Sequence, residues 1–425
     1  MSLPLHPEPE VVGIFKQWLK TNGATIHDAV HFEKNPSGFS VIAEQDVAGN
    51  TTIVSVPSTL AITPELALRA LTDIIPSDAR ALTNSLQKWS ERQLMCSYIC
   101  AHWLFDEKST PPPLRHRPYI NMLPTHDLLR TALHFTPPEL ELFRGSNLYG
   151  ATLDRQKTWE AEWQQCRSVF SAVDVNWGVS LSWEKYSTAA TYLSSRAFPS
   201  SLLTSHPSLY PTPDSHPILL PGIDSLNHAR GHPVSWIVTD PSTAAEPKVS
   251  LVLHKPTERG GELLNNYGLK PNAELILGYG FSLLHNPDDT IVLKIGGSEN
   301  NGGKGWEVGR NARGIEPVWQ AVLDAVCAGK DEEDQNVGVE DELYAADMLG
   351  EMAQGLYNRL PSGEIPLDKE VRSDVAIMLE HYLEGQRNIL HSIIEFASHK
   401  EKRAVELAQE QGLTIVEEGD DETLE

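Results

Sequence analysis

Residues 222–268 decide the fold. This stretch begins with Gly-Ile-Asp-Ser-Leu-Asn-His at 222–228 and ends with Gly-Glu-Leu-Leu-Asn-Asn-Tyr-Gly at 261–268. Between these polar motifs lie two runs rich in β-branched residues, at 234–238 and 249–254. Such runs, separated by a polar segment, are typical of paired strands. The pattern predicts adjacent strands with an Asn-His turn before them and a Tyr-Gly turn after them.

Two further motifs lie upstream. Ser-Gly-Phe-Ser-Val-Ile-Ala at 37–43 falls in a region with the composition of strands, which Pro57 ends. Ser-Ser-Arg-Ala-Phe at 194–198 follows a long segment of mainly helical periodicity that begins near Pro64. The chain therefore carries four short polar motifs, with strands on both sides of a helical segment.

In this order and spacing, the four motifs resemble the SET domain of protein lysine methyltransferases. More narrowly, residues 10–400 are similar to the subgroup typified by the plant Rubisco large-subunit methyltransferase. Arg-Pro-Tyr-Ile-Asn-Met-Leu-Pro at 117–124 and Glu-Gly-Gln-Arg-Asn-Ile-Leu at 384–390 resemble phrases of that subgroup. The resemblance implies an α+β fold: a SET-type β-fold with a helical insert, followed by an all-helical C-terminal domain. It also implies S-adenosyl-L-methionine as the cofactor.

The resemblance and the changes of periodicity predict a division of the chain into six segments. They are an N-terminal helical region at 1–30, the first part of the SET domain at 31–63, a helical insert at 64–190, the second part of the SET domain with the cofactor and catalytic motifs at 191–296, a helical substrate-binding domain at 306–412 and an acidic tail at 413–425. The glycine-rich run between the SET and C-terminal domains is predicted to be a linker. The Pro-, Ser- and His-rich run at 198–221 is predicted to be a flexible surface loop over a substrate groove.

Tyr267 is the predicted catalytic residue. Methyl transfer to an amine is an in-line displacement by a neutral nitrogen, so a lysine must first lose its proton from a reference pKa of about 10.4. An apolar channel favours that neutral amine. The resemblance implies that the Tyr267 hydroxyl points at the reacting methyl group and nitrogen, beside the sulfonium of the bound cofactor. The alternative is a strand-end tyrosine without function.

The resemblance assigns further cofactor residues to the same motifs. Asn227 and His228 are expected at a knot-like chain crossing, where they hold the amino and adenine ends of the cofactor. Arg196 is expected to bind the cofactor carboxylate, with a structural salt bridge as the alternative. Asp224 begins the Asn-His turn and is a candidate cofactor residue, although a structural cap suits it better.

The remaining candidates are Ser37, Gly38, Phe39 and Phe281. The first three match the glycine turn at which, in the family, backbone groups approach the cofactor and an aromatic ring lies near the adenine. Glycine permits that approach because it lacks a Cβ atom, but Ser40 stands where the family often has a second glycine. Phe281 is predicted to line the adenine pocket or the lysine channel, with core packing as the alternative.

No metal site is predicted. The chain has only four cysteines, and Cys96 and Cys100 are spaced to lie on one apolar helical face, as buried thiols do. His228 and His232 are also four positions apart, but Pro233 follows and no third ligand is in register.

The formal charge of −24 indicates what kind of partner to expect. Nucleic-acid binding depends on clustered Lys and Arg, so it is not expected. A basic, lysine-containing protein segment would be attracted, although solubility alone would also explain the charge. With no apolar run of membrane-spanning length and no signal peptide at the start, the expected location is the cytosol or nucleus, with no membrane partner.

The sequence therefore predicts a protein-lysine N-methyltransferase that acts on a non-histone or ribosomal protein. One branch of the subgroup methylates a histidine in actin, and the sequence does not separate the two acceptors. A catalytically inactive SET-derived binding module is the third interpretation. Retention of Tyr267, Asn227, His228 and Arg196 argues against it.

Overall fold

A computed structural model describes residues 6–210, 212–239, 246–295, 305–328, 337–365 and 370–413. The chain divides into two compact units. The first unit comprises Met1–His134, Thr152–Leu269 and Leu277–Gly280, and the second comprises Phe135–Ala151, Lys270–Ile276 and Phe281–Glu425. The linker predicted at 296–305 lies outside the described residues except for Gly305, which begins a strand, and nearly all of the predicted acidic tail lies outside them too.

The strands are short. They are β1 (Thr25–Ile26), β2 (Val30–Asn35), β3 (Gly38–Ala43), β4 (Thr51–Pro57), β5 (Phe198–Pro199), β6 (Pro217–Ile218), β7 (Val234–Val238), β8 (Lys248–Leu253), β9 (Thr290–Lys294) and β10 (Gly305–Gly309).

The helices fall mainly between β4 and β5 and after β10. They are α1 (Glu10–Thr21), α2 (Pro64–Ile74), α3 (Thr83–Leu86), α4 (Glu91–Ala101), α5 (Arg117–Ile120), α6 (Pro137–Glu141), α7 (Asn147–Val173), α8 (Val175–Ser180), α9 (Trp183–Arg196), α10 (Asn272–Glu274), α11 (Glu316–Cys327), α12 (Val339–Arg359) and α13 (Ser373–Glu410).

An antiparallel sheet of order β1-β4-β8-β7 forms the centre of the first unit. Strands β7 and β8 are the pair predicted on either side of the polar turn, and they align with Trp236 opposite Leu251. Strands β2 and β3 form a separate hairpin in which Asn35 faces Gly38. Buried residues of these strands, among them Val41, Val56 and Leu251, belong to one hydrophobic core. The strands predicted in these parts of the chain are present.

The segment predicted as a helical insert is helical, and its caps explain where the helices begin. Thr63 accepts a hydrogen bond from the Leu66 N–H at 3.2 Å and starts α2 just before Pro64. A capping box of Ser90 and Gln93 starts α4. The middle of α4 is fully buried, including Cys96 and Cys100, whose burial the sequence predicts. These helices therefore extend the core of the first unit.

The prediction of a surface loop at 198–221 is wrong at its end. Strands β5 and β6 pair within it, and Ile218, Leu219 and Leu220 are fully buried. The Ile62 N–H donates to the Leu219 carbonyl at 2.9 Å, which ties this run to the core. The proline-rich composition hid an apolar run that packs like a strand.

The second unit is largely helical, which confirms the predicted helical C-terminal region. Its core is formed by α11, α12 and α13 together with the antiparallel pair β9 and β10. Strand β10 includes Trp306, so the described C-terminal region begins with a strand before its helices. Long amphipathic periodicity in α12 and α13 makes their pairing the main packing interaction of this unit.

Candidate active site

Main-chain pairing joins three of the predicted motifs in the first unit. Residues 260–263 lie beside β3: the Ala43 N–H donates to the Gly261 carbonyl, and the Leu263 N–H donates to the Val41 carbonyl, both at 2.8 Å. The chain then turns to the Asn-His motif, where the Asn265 N–H donates to the Asn227 carbonyl at 2.7 Å. Residues 260–265 therefore run from the glycine-turn hairpin to the Asn-His turn.

The side-chain amide of Asn227 is oriented by its neighbours. Its Nδ2 lies 2.8 Å from Glu262 Oε1, 3.3 Å from Ser40 Oγ and 3.5 Å from the Phe39 carbonyl. A carboxylate and a carbonyl can only accept, so the NH₂ end must face them. Among the described residues no donor reaches Asn227 Oδ1, which leaves an acceptor for a ligand.

His228 and Leu226 hold Tyr267 at both ends. The Tyr267 N–H donates to His228 Nδ1 at 3.0 Å, and its hydroxyl donates to the Leu226 carbonyl at 2.9 Å. The His228 and Tyr267 rings stack with centroids 5.1 Å apart, and Tyr279 stacks on Tyr267 at 5.3 Å. Because Nδ1 accepts, it carries no proton. The predicted catalytic tyrosine is thus held by protein contacts at its backbone and at its hydroxyl.

Burial raises the pKa of Tyr267 above its ordinary value, and the nearby Arg196 only partly opposes this effect. The phenol therefore keeps its proton at neutral pH. A protonated phenol does not act as a general base; it can orient a nitrogen and stabilise positive charge with its oxygen lone pairs. This geometry supports an orienting role.

Arg196 lies at the C-terminal end of α9 and pairs with Asp224. Its Nη1 donates to the Asp224 carbonyl at 3.0 Å and lies 3.4 Å from Asp224 Oδ2. Burial opposes the charge on Arg196, but Asp224 together with the neighbouring tyrosines outweighs burial and raises the arginine pKa. Neither Nε nor Nη2 of Arg196 meets an acceptor within the described chain. The guanidinium is anchored on one side and open on the other.

Asp224 is anchored by protein donors, as a structural residue is. Its Oδ2 accepts from the Tyr119 hydroxyl at 2.6 Å, and its Oδ1 accepts from the Gly222 N–H at 3.2 Å. Burial raises the pKa of Asp224, while Arg196 and Tyr119 lower it in part. These contacts favour the capping alternative over direct contact with a cofactor.

The glycine turn at Ser37, Gly38 and Phe39 closes the β2–β3 hairpin. Gly38 has a φ of +132°, a conformation that residues with a Cβ atom rarely adopt. An added Cβ would meet Pro124 only at ordinary contact distance, 3.6 Å, so backbone conformation rather than space requires glycine here. The Ser37 N–H donates to Asn35 Oδ1 at 2.9 Å, and the Phe39 ring packs edge-on against Phe32.

Phe281 belongs to the second unit, so its place in an adenine pocket stays a prediction. Sequence reasoning missed two residues that the first unit brings to the site. Glu262 orients Asn227, and Tyr119 holds Asp224. Both lie inside motifs that the sequence pattern singles out, Gly-Glu-Leu-Leu and Arg-Pro-Tyr-Ile, but no role was predicted for either residue.

Within the described ranges, no group of three or more His, Cys, Asp or Glu side chains is arranged to hold a metal ion. No described helix is both long and apolar enough to cross a membrane.

The chain resembles curated methyltransferases. It is 30% identical over 280 residues to the ribosomal lysine N-methyltransferase set10 of Schizosaccharomyces pombe. The aligned region covers 64% of this chain and 46% of that protein. It is 23% identical over 294 residues to the actin-histidine N-methyltransferase of Mus musculus, covering 67% and 44%. The chain thus spans less than half the length of these relatives. No family model matches the chain.

Solved structures share the fold. Rubisco LSMT bound to sinefungin and monomethyllysine has a TM-score of 0.73 at 17% identity, over 96% of this chain and 98% of that one. The SET domain of LSMT bound to lysine and AdoHcy has a TM-score of 0.71 at 16% identity, over 96% and 97%. The chain therefore has the fold of the LSMT SET-domain structures, as its motifs predict.

Proposed function

From the SET-domain fold that this chain shares with Rubisco LSMT, we propose that it is an S-adenosyl-L-methionine-dependent protein-lysine N-methyltransferase. Its substrate is a non-histone protein, with a ribosomal protein as the first choice. One observation carries this proposal: Tyr267 is held by His228 and Leu226 directly beside an Asn-His turn whose amide carbonyl is open. The similarity to the fission-yeast ribosomal lysine methyltransferase supports the substrate class.

The open groups of the site fit the amino-acid end of the cofactor. That end carries an ammonium, which needs an acceptor, and a carboxylate, which needs a cation. Asn227 Oδ1 is the available acceptor, and Nε and Nη2 of Arg196 are available donors in the geometry that suits a carboxylate. We assign Asn227 to the ammonium and Arg196 to the carboxylate.

Tyr267 then orients the acceptor nitrogen. The bound cofactor supplies a methyl group on positively charged sulfur; a nitrogen–carbon bond forms, the carbon–sulfur bond breaks, and its electron pair stays on sulfur. The Tyr267 oxygen, with its own proton donated to Leu226, presents lone pairs to this positively charged region. The lysine loses its proton before the transfer, helped by an apolar surrounding.

A histidine acceptor is the second candidate, because the chain is also similar to an actin-histidine N-methyltransferase. We favour lysine, since the ribosomal lysine relative has the higher identity, 30% against 23%. Labelled methyl donor with purified ribosomal proteins and with actin, followed by mass spectrometry of the labelled peptide, separates the two. A methylhistidine in actin would reverse the choice of acceptor.

The substrate segment is proposed to be basic, given the charge of −24. Methylation of lysine-rich peptides should then exceed that of acidic lysine-containing peptides at low salt, and the difference should shrink as salt rises. Equal rates at low salt would contradict the proposal. A ribosomal substrate agrees with the predicted cytosolic or nuclear location.

The proposed function is tested first by calorimetric titration with S-adenosylhomocysteine. Binding is expected, and folded protein that does not bind would favour the inactive binding module instead.

A further inference from the structure

One buried group in the first unit has no part in the proposed chemistry. Tyr119 lies on the short helix α5, within the predicted insert, and is 2% exposed. Its hydroxyl donates to Asp224 Oδ2 at 2.6 Å, and that carboxylate faces Arg196. Tyr119, Asp224 and Arg196 form what is called below the Tyr119–Asp224–Arg196 network.

We infer that Tyr119 is a positioning residue for cofactor binding, acting through Asp224 on the Arg196 guanidinium. This inference rests on the proposed function. An arginine binds a carboxylate well only when its planar donor fork is held in register with both oxygens. The network holds one edge of the fork and leaves the other edge for the cofactor.

Neighbouring residues hold the Tyr119 end of the network firmly, whereas its Arg196 end is partly exposed. The Tyr119 ring packs against Phe15 of α1 with centroids 6.2 Å apart. Arg117, two residues before Tyr119, donates to the Phe105 carbonyl at 2.8 Å and so fixes α5. The Asp224 side chain is 2% exposed, whereas that of Arg196 is 26% exposed. The side chains of the network are therefore less tightly held, and more exposed, from Tyr119 towards Arg196.

Asp224 needs this support because it competes with the ligand. A buried carboxylate beside Arg196 attracts the same guanidinium that is to bind the cofactor carboxylate. The Tyr119 and Gly222 donors hold Asp224 where it reaches only Nη1. Without Tyr119, the carboxylate can turn towards the guanidinium and engage the edge that the ligand requires.

The test uses two ligands that differ by one group, S-adenosylhomocysteine and its decarboxylated analogue. Tyr119→Phe keeps the ring and removes only the hydroxyl. We expect its affinity for S-adenosylhomocysteine to fall about tenfold, as for loss of a hydrogen bond to a charged group. Its affinity for the decarboxylated analogue should stay at the wild-type value, because that ligand does not need Arg196.

Tyr98→Phe is the matched control. Tyr98 is fully buried in the same unit, and its hydroxyl lies 2.5 Å from His116 Nδ1, outside the network. This variant should bind both ligands as the wild type does. If Tyr119→Phe does not fold, Tyr119→Leu, which also removes the hydroxyl that holds Asp224, replaces it and should show the same selective loss.

The outcomes are distinct. Selective loss of the carboxylate-bearing ligand supports the inference. Equal loss of both ligands would make Tyr119 a general structural residue, and no loss would remove it from cofactor binding; either result overturns the inference alone. A wild type that binds neither ligand overturns the proposed function as well.

Discussion

Asn227 in the first unit and Asn272 in the second both tie separate chain segments together, but they use their amides differently. Asn272 is fully buried; its Nδ2 donates to the Leu283 carbonyl at 2.9 Å, and its Oδ1 accepts from the Leu283 N–H at 2.8 Å. Asn227 uses only its Nδ2 end. Asn227 is only partly buried, so its second amide end stays accessible, and we propose that end as the acceptor for a ligand.

The arginines repeat this contrast. In the second unit, Arg310 donates from Nε to the Asn286 carbonyl at 2.8 Å, from Nη1 to Glu384 at 2.8 Å and from Nη2 to Asp289 at 3.1 Å. Arg196 in the first unit uses Nη1 alone for its hydrogen bonds. The same residue types thus form a closed structural cluster in one unit and an open one in the other.

The largest expected effect is a loss of stability in acid that begins at a higher pH in the first unit than in the second. The first unit buries His102 and His116, and burial lowers their pKa values to about 4 and about 3. The unfolded chain takes up protons below pH 6.5 and the folded one does not, so stability is lost as the pH falls towards those values. At about 1.4 kcal/mol per pH unit for each histidine, the loss approaches roughly 5 kcal/mol by pH 4.5.

We expect the second unit to lose stability only at a lower pH than the first. Burial alone would raise the pKa of Glu139, but hydrogen bonds from Arg372 lower it to about 2. The contribution of Glu139 to stability is full above pH 4.5 and is lost between pH 4.5 and pH 2.

A pyridyl disulfide reagent that reacts with thiols in acid can follow unfolding of the first unit, since Cys96, Cys100 and Cys166 are buried there. Equal protection of these thiols at pH 7 and pH 4.5 would contradict the prediction, and His116→Gln should reduce the acid effect.

Tyr267→Phe should have the next largest effect. The ring and its stacking remain, but the hydroxyl that donates to Leu226 and faces the proposed reaction is lost. We expect turnover to fall about 10²–10³-fold, with binding of S-adenosylhomocysteine retained. Labelled methyl transfer and calorimetry measure the two quantities. Tyr382→Phe, which removes a buried hydroxyl from the second unit, should leave turnover unchanged; turnover of Tyr267→Phe equal to wild type would exclude the catalytic role.

The two asparagines test the comparison directly. Asn227→Ala should weaken S-adenosylhomocysteine binding by about 2 kcal/mol and change the unfolding free energy little. Asn272→Ala should do the reverse, with a stability loss of about 2 kcal/mol, because it leaves the partly buried Leu283 backbone groups without their partner. Titration calorimetry and urea unfolding of both variants provide the measurements. Similar behaviour of the two variants would break the distinction between open and closed clusters.

Local pattern predicted much of this structure from sequence. The opening helix, the β7–β8 pair and the long C-terminal helices all follow from periodicity and turn residues. The knot-like crossing expected from the family resemblance stays a prediction, and residues 260–263, which pair with β3, are too few to carry a period of their own. Their pairing with β3 joins segments far apart in sequence.

Contacts between distant side chains were beyond local pattern. Tyr119 and Asp224 are 105 positions apart, and nothing in either motif alone indicates that they meet. The half-used amide of Asn227 was likewise hidden, because it depends on Glu262 and Ser40 being on the same side. Sequence identified the residues of the candidate site, whereas the structure identified which of their atoms are open.

The smallest expected effect comes from exchanging each arginine for lysine. A lysine keeps the charge but loses the planar fork. Arg310→Lys gives up hydrogen bonds to Asn286, Asp289 and Glu384, so it should lower the unfolding free energy by about 1–2 kcal/mol and leave cofactor affinity unchanged.

Arg196→Lys should instead weaken S-adenosylhomocysteine binding by about 1 kcal/mol with little change in stability, because its open edge contributes to binding and not to folding. Calorimetry and urea unfolding on the same samples give both numbers. If Arg196→Lys lost stability and kept affinity, Arg196 would be a structural ion pair like Arg310, and the open edge would have no ligand.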